Sequence, residues 1–116
     1  MTRQFGLELI SVALYNIAMT VTSSENGGAV TFLIEGRIDT TTAPEFEKEI
    51  IEKASAYDSV VLDFAKTEYI SSAGLRVLLS LYKIMTKKGG LKIVNVSDMI
   101  MEVFEVTGFK EIFSLG

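Results

Sequence analysis

The chain has 116 residues and a formal net charge of −4, with nearly half of its residues hydrophobic, which suits one domain that buries its own core without covalent staples. It contains neither cysteine nor histidine, so disulfides, thiolate metal sites, thiol nucleophiles and the commonest general base are all excluded, and ordinary hydrolytic catalysis lacks its parts. The acidic balance argues against non-specific nucleic-acid binding, and no stretch reaches the roughly 18 uninterrupted apolar residues of a membrane-spanning helix. A soluble, cytoplasmic, non-enzymatic chain is expected, with no cofactor, no metal, no nucleic acid and no direct membrane insertion.

Residues 1 to 18 are the first departure from a plain domain. Phe5 to Ala18 is apolar apart from Glu8 and Asn16, and Arg3 precedes it. That raises a secretory signal, but the apolar part is weak and no small-x-small cleavage site follows. Met19-Thr-Val-Thr-Ser-Ser24 and Ala29-Val-Thr-Phe-Leu-Ile-Glu35 are rich in β-branched and aromatic residues, and Asn26-Gly27-Gly28 lies between them. This predicts an opening antiparallel hairpin. Gly36 is expected to break the second strand, with Arg37 to Thr41 as a polar exit. Thr42-Ala-Pro-Glu45 reads as a capping box with proline in the first turn, opening a helix whose apolar positions Phe46, Ile50 and Ile51 recur at helical spacing. Its outer face is a run of charges, the ordinary solvated side of a surface helix.

The remainder alternates. A strand is predicted over 59–64, a helix from about 72 to 88, a strand over 91–96, a helix over about 98–106 and a last short strand near Ile112 and Phe113. Gly89-Gly90 and Gly108 are expected as C-cap glycines. Strands alternating with helices imply parallel neighbours joined by right-handed crossovers. The predicted fold is therefore α/β, a mixed and mostly parallel sheet with helices mainly on one face.

The stretch Glu68-Tyr-Ile-Ser-Ser-Ala-Gly-Leu-Arg76 sits where a strand should give way to the long helix. Ser71 and Ser72 are both good N-cap residues, and Gly74 falls in the first turn, where a missing side chain is expected to leave amides open to an approaching group. A hydroxyl here is suited to phosphorylation, because orphan amides and the helix dipole favour negative charge. A plain N-cap is the reading that spacing alone favours, whereas a nucleophilic role lacks a base. Asp39, Asp63 and the two serines are expected at the carboxyl edge of the sheet, where partners of open α/β sheets gather. Asp63 reads as structural, accepting backbone hydrogen bonds in the following loop. Asp39 reads either as a functional carboxylate or as a turn-forming residue.

The long helix has an apolar arc of roughly 200°, with Val77, Leu81 and Ile84 widening the face set by Leu75, Leu78, Leu79, Tyr82 and Met85. The surplus is either buried by the helix at 98–106 or exposed as a partner-docking patch.

The motifs Gly36-Arg-Ile-Asp-Thr-Thr-Thr-Ala-Pro44, Val60-Val-Leu-Asp-Phe64 and Tyr69-Ile-Ser-Ser-Ala-Gly-Leu-Arg-Val-Leu78 resemble those of the bacterial anti-sigma-factor antagonists, members of the STAS domain family. The resemblance runs from about Met19 to the C-terminus, which sets 19–116 as the domain and marks residues 1–18 as an upstream extension or start artefact, or else an extra edge element. In that family the turn usually reads Asp-Ser-Ser/Thr-Gly-Leu, and the serine after the aspartate is phosphorylated by the cognate anti-sigma kinase. That serine is Ser72 here. Two departures stand out: Ser71 occupies the aspartate position, which makes it a competing acceptor, and Ala73 occupies the second hydroxyl position. The resemblance places Asp39 and the serine turn on the partner-binding surface, so that the expected surface covers Asp39, Thr40, Ser71, Ser72, Gly74 and Arg76, with Val77, Leu81 and Ile84 added from the surplus apolar face of the helix. The implied partners are an anti-sigma factor serine kinase, whose capture frees a sigma factor, and a phosphatase that resets the phosphorylated form. The family also includes stand-alone domains that serve as constitutive subunits of phospholipid-type membrane transport assemblies. Ser71 in place of aspartate keeps that non-switching role open.

Overall fold

A computed structural model describes residues 19–113; the reading of residues 1–18 as an extension falls outside them. Strand β1 (Met19–Asn26) and strand β2 (Ala29–Ile38) form the antiparallel hairpin, with Asn26 opposite Ala29 and Gly27 at φ +66. Helix α1 (Ala43–Ala54) follows, then strand β3 (Ser59–Ile70), helix α2 (Ser72–Met85), strand β4 (Leu91–Val94), helix α3 (Asp98–Thr107) and the short helix α4 (Phe109–Ile112). The strands lie in the order β1-β2-β3-β4, with β2, β3 and β4 parallel. The predicted mixed, mostly parallel sheet is the one found.

One face of the sheet is dry. Val30, Phe32, Ile34 and Ile38 of β2 and Val60, Leu62, Phe64 and Ile70 of β3 join Phe46, Ile50, Leu78, Leu81, Met85, Ile100 and Phe104 from the helices in a single buried cluster. Alternate residues on the other face, including Thr31, Leu33, Val61 and Asp63, are only half-buried. Strand period two thus sorts each strand into a helix-covered side and a polar side.

Several element ends differ from the sequence reading. Gly36 does not end β2: the strand continues to Ile38 through a register slip between Gly36 and Arg37, and glycine accommodates the φ of +101 that this bulge requires. Strand β3 does not stop at Phe64 but runs to Ile70, because β2 pairs with it throughout, past a further slip between Leu33 and Glu35. Its second half carries exposed Lys66 and Glu68, which dilute the apolar signal that marks a buried strand. β4 is shorter than predicted, ending before Asn95 at φ +58.

The chain end is helical, not a strand. Gly108 at φ +81 caps α3 in the left-handed conformation and turns the backbone into α4. That brings the buried Phe113 edge-on to Tyr82, Phe104 and Phe109, with ring centroids 5.5, 5.9 and 5.5 Å apart. Helix α2 ends at Met85, short of the glycine pair; the Gly90 amide returns to the Met85 carbonyl at 3.0 Å, and Gly89 packs against the Asp58 carbonyl.

Candidate functional site

Two short connections meet at one tip of the sheet. β2 and β3 are parallel and end level, Ile38 beside Ile70, so the loop leaving β2 and the turn leaving β3 emerge together. The Ser71 amide donates to the Ile38 carbonyl at 2.8 Å and ties them.

The first connection is a hydrogen-bonded knot around Asp39. Its Oδ1 accepts the Thr41 hydroxyl at 2.7 Å, the Thr41 amide at 3.0 Å and the Thr42 amide at 3.1 Å. Asp39 is therefore a turn-forming carboxylate, and the Thr41 hydroxyl above all, with the two amides, holds its carboxyl below the ordinary value of 3.8. Thr42 is not the capping box read from the sequence. Its hydroxyl is drawn backwards, donating to the Arg37 carbonyl at 2.8 Å and accepting the Asp39 amide at 2.8 Å, so it makes no side-chain cap on α1. Arg37 completes the knot from outside: its guanidinium lies 4.5 Å from the centre of the Tyr69 ring, and Nε is 3.8 Å from Asp39 Oδ2. The sequence reading missed Arg37, Tyr69, Thr41 and Thr42. An Asp-x-Thr-Thr turn signal was available for the threonines, but the pairing of Arg37 with Tyr69 depends on the register slip.

The second connection separates the two serines. Ser71 is the N-cap, extended at φ −97 and ψ 176, and its Oγ accepts the Gly74 amide at 3.4 Å. Ser72 is the first helical residue and is exposed. Gly74 is not an opening for an incoming group: it is buried, and a Cβ there would lie 2.7 Å from Ile38 Cγ2 and 2.8 Å from Ile70 Cγ1. The glycine lets α2 seat directly on the ends of β2 and β3.

Of the remaining surface residues expected from the sequence, Thr40 and Arg76 are exposed and Ile84 is half-buried. Val77 and Leu81 are buried, at 6% and 0% exposure, and cannot form a docking patch. α1 lies alongside α2, and Val77 borders the cleft between them. Between α1 and α2, next to the serine turn, is a cleft of about 230 Å³ bordered by Thr40, Pro44, Glu47, Ala73, Arg76 and Ser80.

Asp63 lies elsewhere. β3 continues seven residues beyond it to Ile70, roughly 20 Å of strand, so it is not at the serine tip. Its Oδ1 accepts the Ala65 amide at 2.9 Å and the Asn95 side-chain amide at 2.9 Å, fastening the bulge of β3 to the end of β4. Among the described residues no group of three or more His, Cys, Asp or Glu side chains is placed to hold a metal ion, and no helix is long and apolar enough to cross a membrane.

This architecture and its glycine-tightened serine turn are those of a STAS domain. The model of that family, the STAS domain, matches residues 20–116, and the chain belongs to it. The sequence is similar to the anti-sigma-B factor antagonist of Bacillus subtilis, 31% identical over 102 residues that cover 87% of this chain and 92% of that protein. The structure is similar to an anti-sigma factor antagonist from Mycobacterium paratuberculosis, with a TM-score of 0.76, 25% identity and coverage of 84% of this chain and 85% of the other. A likeness of fold extends to the Bacillus cell fate determinant SpoIIAA in its phosphorylated form, with a TM-score of 0.61, 17% identity and coverage of 77% and 84%.

Proposed function

We propose that this chain is an anti-sigma-factor antagonist, a non-catalytic domain that binds a switch-type anti-sigma serine kinase and so releases a sigma factor. The relatives named above support the antagonist role. The observation that carries the acceptor assignment is the division between the two serines: Ser71 spends its hydroxyl on the helix cap, whereas Ser72 is exposed beside the Asp39 knot. In the modification, Ser72 Oγ attacks the γ-phosphorus of the kinase-bound ATP. The new O–P bond replaces the bond to ADP, which leaves, and the hydroxyl proton passes to a base of the kinase, since this chain has no histidine to take it. A phosphatase hydrolyses the ester and restores the binding form.

The docking surface comprises exposed Thr40, Ser72 and Arg76 with half-buried Asp39, Ser71 and Ile84. Phosphorylation brings about two negative charges into this contact. A loss of only ~3 kcal/mol weakens binding more than a hundredfold.

The test is a pull-down from native lysate with the wild-type chain and with Ser72→Asp, the captured proteins being identified by mass spectrometry. Capture of an ATP-binding kinase by the wild type, and its loss with Ser72→Asp, is the expected result. Equal capture of membrane-transport subunits by both forms would replace the switch with the constitutive role.

A further inference from the structure

Two arginines of this end of the molecule, Arg37 and Arg76, are in unequal states. Arg37 is already occupied, stacked on Tyr69 and facing Asp39 Oδ2 at 3.8 Å. Arg76 is exposed and, among the described residues, has no ion-pair partner. It stands four residues beyond Ser72 on α2, and both lie outside the buried stripe of Leu75, Val77 and Leu78. Side chains at this spacing are neighbours, with Cβ atoms about 5–6 Å apart, and an anion placed four residues before a cation is the favourable order on a helix. In the unmodified protein Arg76 of α2 and Glu47 of α1 both border the cleft between the two helices.

We propose that Arg76 reads the modification state of Ser72: once Ser72 carries phosphate, Arg76 folds along α2 to pair with it and leaves the cleft. This rests on the reading of Ser72 as the acceptor and adds the device by which the surface changes. Before modification the cleft offers a cation at its mouth, suited to a carboxylate of the partner. Afterwards that cation is neutralised, Glu47 is left as the charge of the cleft border, and the phosphate adds its own. A partner side chain chosen by Arg76 therefore loses its counter-charge in the same step that introduces repulsion. Arginine suits both states, since its planar fork meets carboxylate and phosphate alike.

The test needs no kinase. Phosphoserine is installed at position 72 of the full 116-residue chain by stop-codon suppression, and its second ionisation is followed by phosphorus-31 NMR across pH 4.5 to 8. A nearby cation favours the dianion and lowers that pKa, so Arg76→Gln is expected to raise it by roughly half a unit, as for an exposed charge pair. Arg76→Lys should keep most of the lowering, and Arg37→Gln should leave it unchanged. An unaltered titration in Arg76→Gln, or the same rise in Arg37→Gln, would overturn the proposal. Whether a kinase chooses Ser72 is decided separately by mass spectrometry of the phosphorylated wild-type chain, so the two readings fail independently.

Discussion

The Ser71 amide donates to the Ile38 carbonyl at 2.8 Å, and this bond makes the serine turn and the Asp39 loop one body. Each of these residues follows or ends a strand, so the body is fixed to the sheet and α2 starts from it. Gly74 is the residue that lets α2 approach so closely. Alanine there would place its Cβ within 2.8 Å of Ile38 and Ile70, two β-branched side chains at 0% and 2% exposure. Alanine normally favours a helix over glycine by about 1 kcal/mol. Here overpacking wins, and Gly74→Ala should destabilise the fold by about 1–2 kcal/mol in denaturant melts. A variant as stable as the wild type would show that α2 can shift at no cost.

The two serines should separate in stability measurements. Ser71→Ala removes the N-cap acceptor and is expected to cost about 0.5–1 kcal/mol, the lower part of the usual range because the bond to Gly74 is a long 3.4 Å. Ser72→Ala, at an exposed position that makes no cap, should melt with the wild type. Kinase-dependent incorporation of phosphate should show the reverse pattern, retained in Ser71→Ala and lost in Ser72→Ala.

Asp39 links the same tip to pH. Its folded pKa is lowered, so its contribution to stability is complete above the unfolded value of about 3.9 and is lost as pH falls through the lower folded value. Asp39→Asn should therefore be less stable than the wild type at pH 7, and the gap should narrow in urea melts as pH drops from about 4 towards 2. A gap that stays constant over that range would mean that the amide contacts are retained by the neutral side chain.

The terminal aromatic cluster gives a test far from the site. Phe113 is 9% exposed and meets three rings. Phe113→Ala should cost about 3 kcal/mol, while Ile112→Ala, at a partly exposed neighbour, should cost under about 1 kcal/mol. Similar losses at both positions in thermal or chemical melts would contradict the inward turn set by Gly108.

Composition limits, the hairpin, the order of strands and helices as far as the helix after β4, the parallel sheet and the serine at the start of the long helix were all legible in the amino-acid sequence. These are local matters: β-branched runs, helical periodicity, Asn-Gly-Gly and serine before an apolar stripe act within a few residues. Where the chemistry gathers depends on long-range packing. The length of β3 is set by pairing with β2, and the added residues moved Asp63 away from the serines while bringing Arg37 over Tyr69. Val77 and Leu81 looked surplus because periodicity reports that a face is apolar, not whether a neighbour covers it; in the fold both are buried, with α1 packed alongside α2. Gly74 and Thr42 show the same limit at single residues. Glycine can serve an open backbone or a close packing contact, and threonine can cap forwards or bond backwards; the choice is made by Ile38, Ile70 and Arg37, brought there by the sheet register.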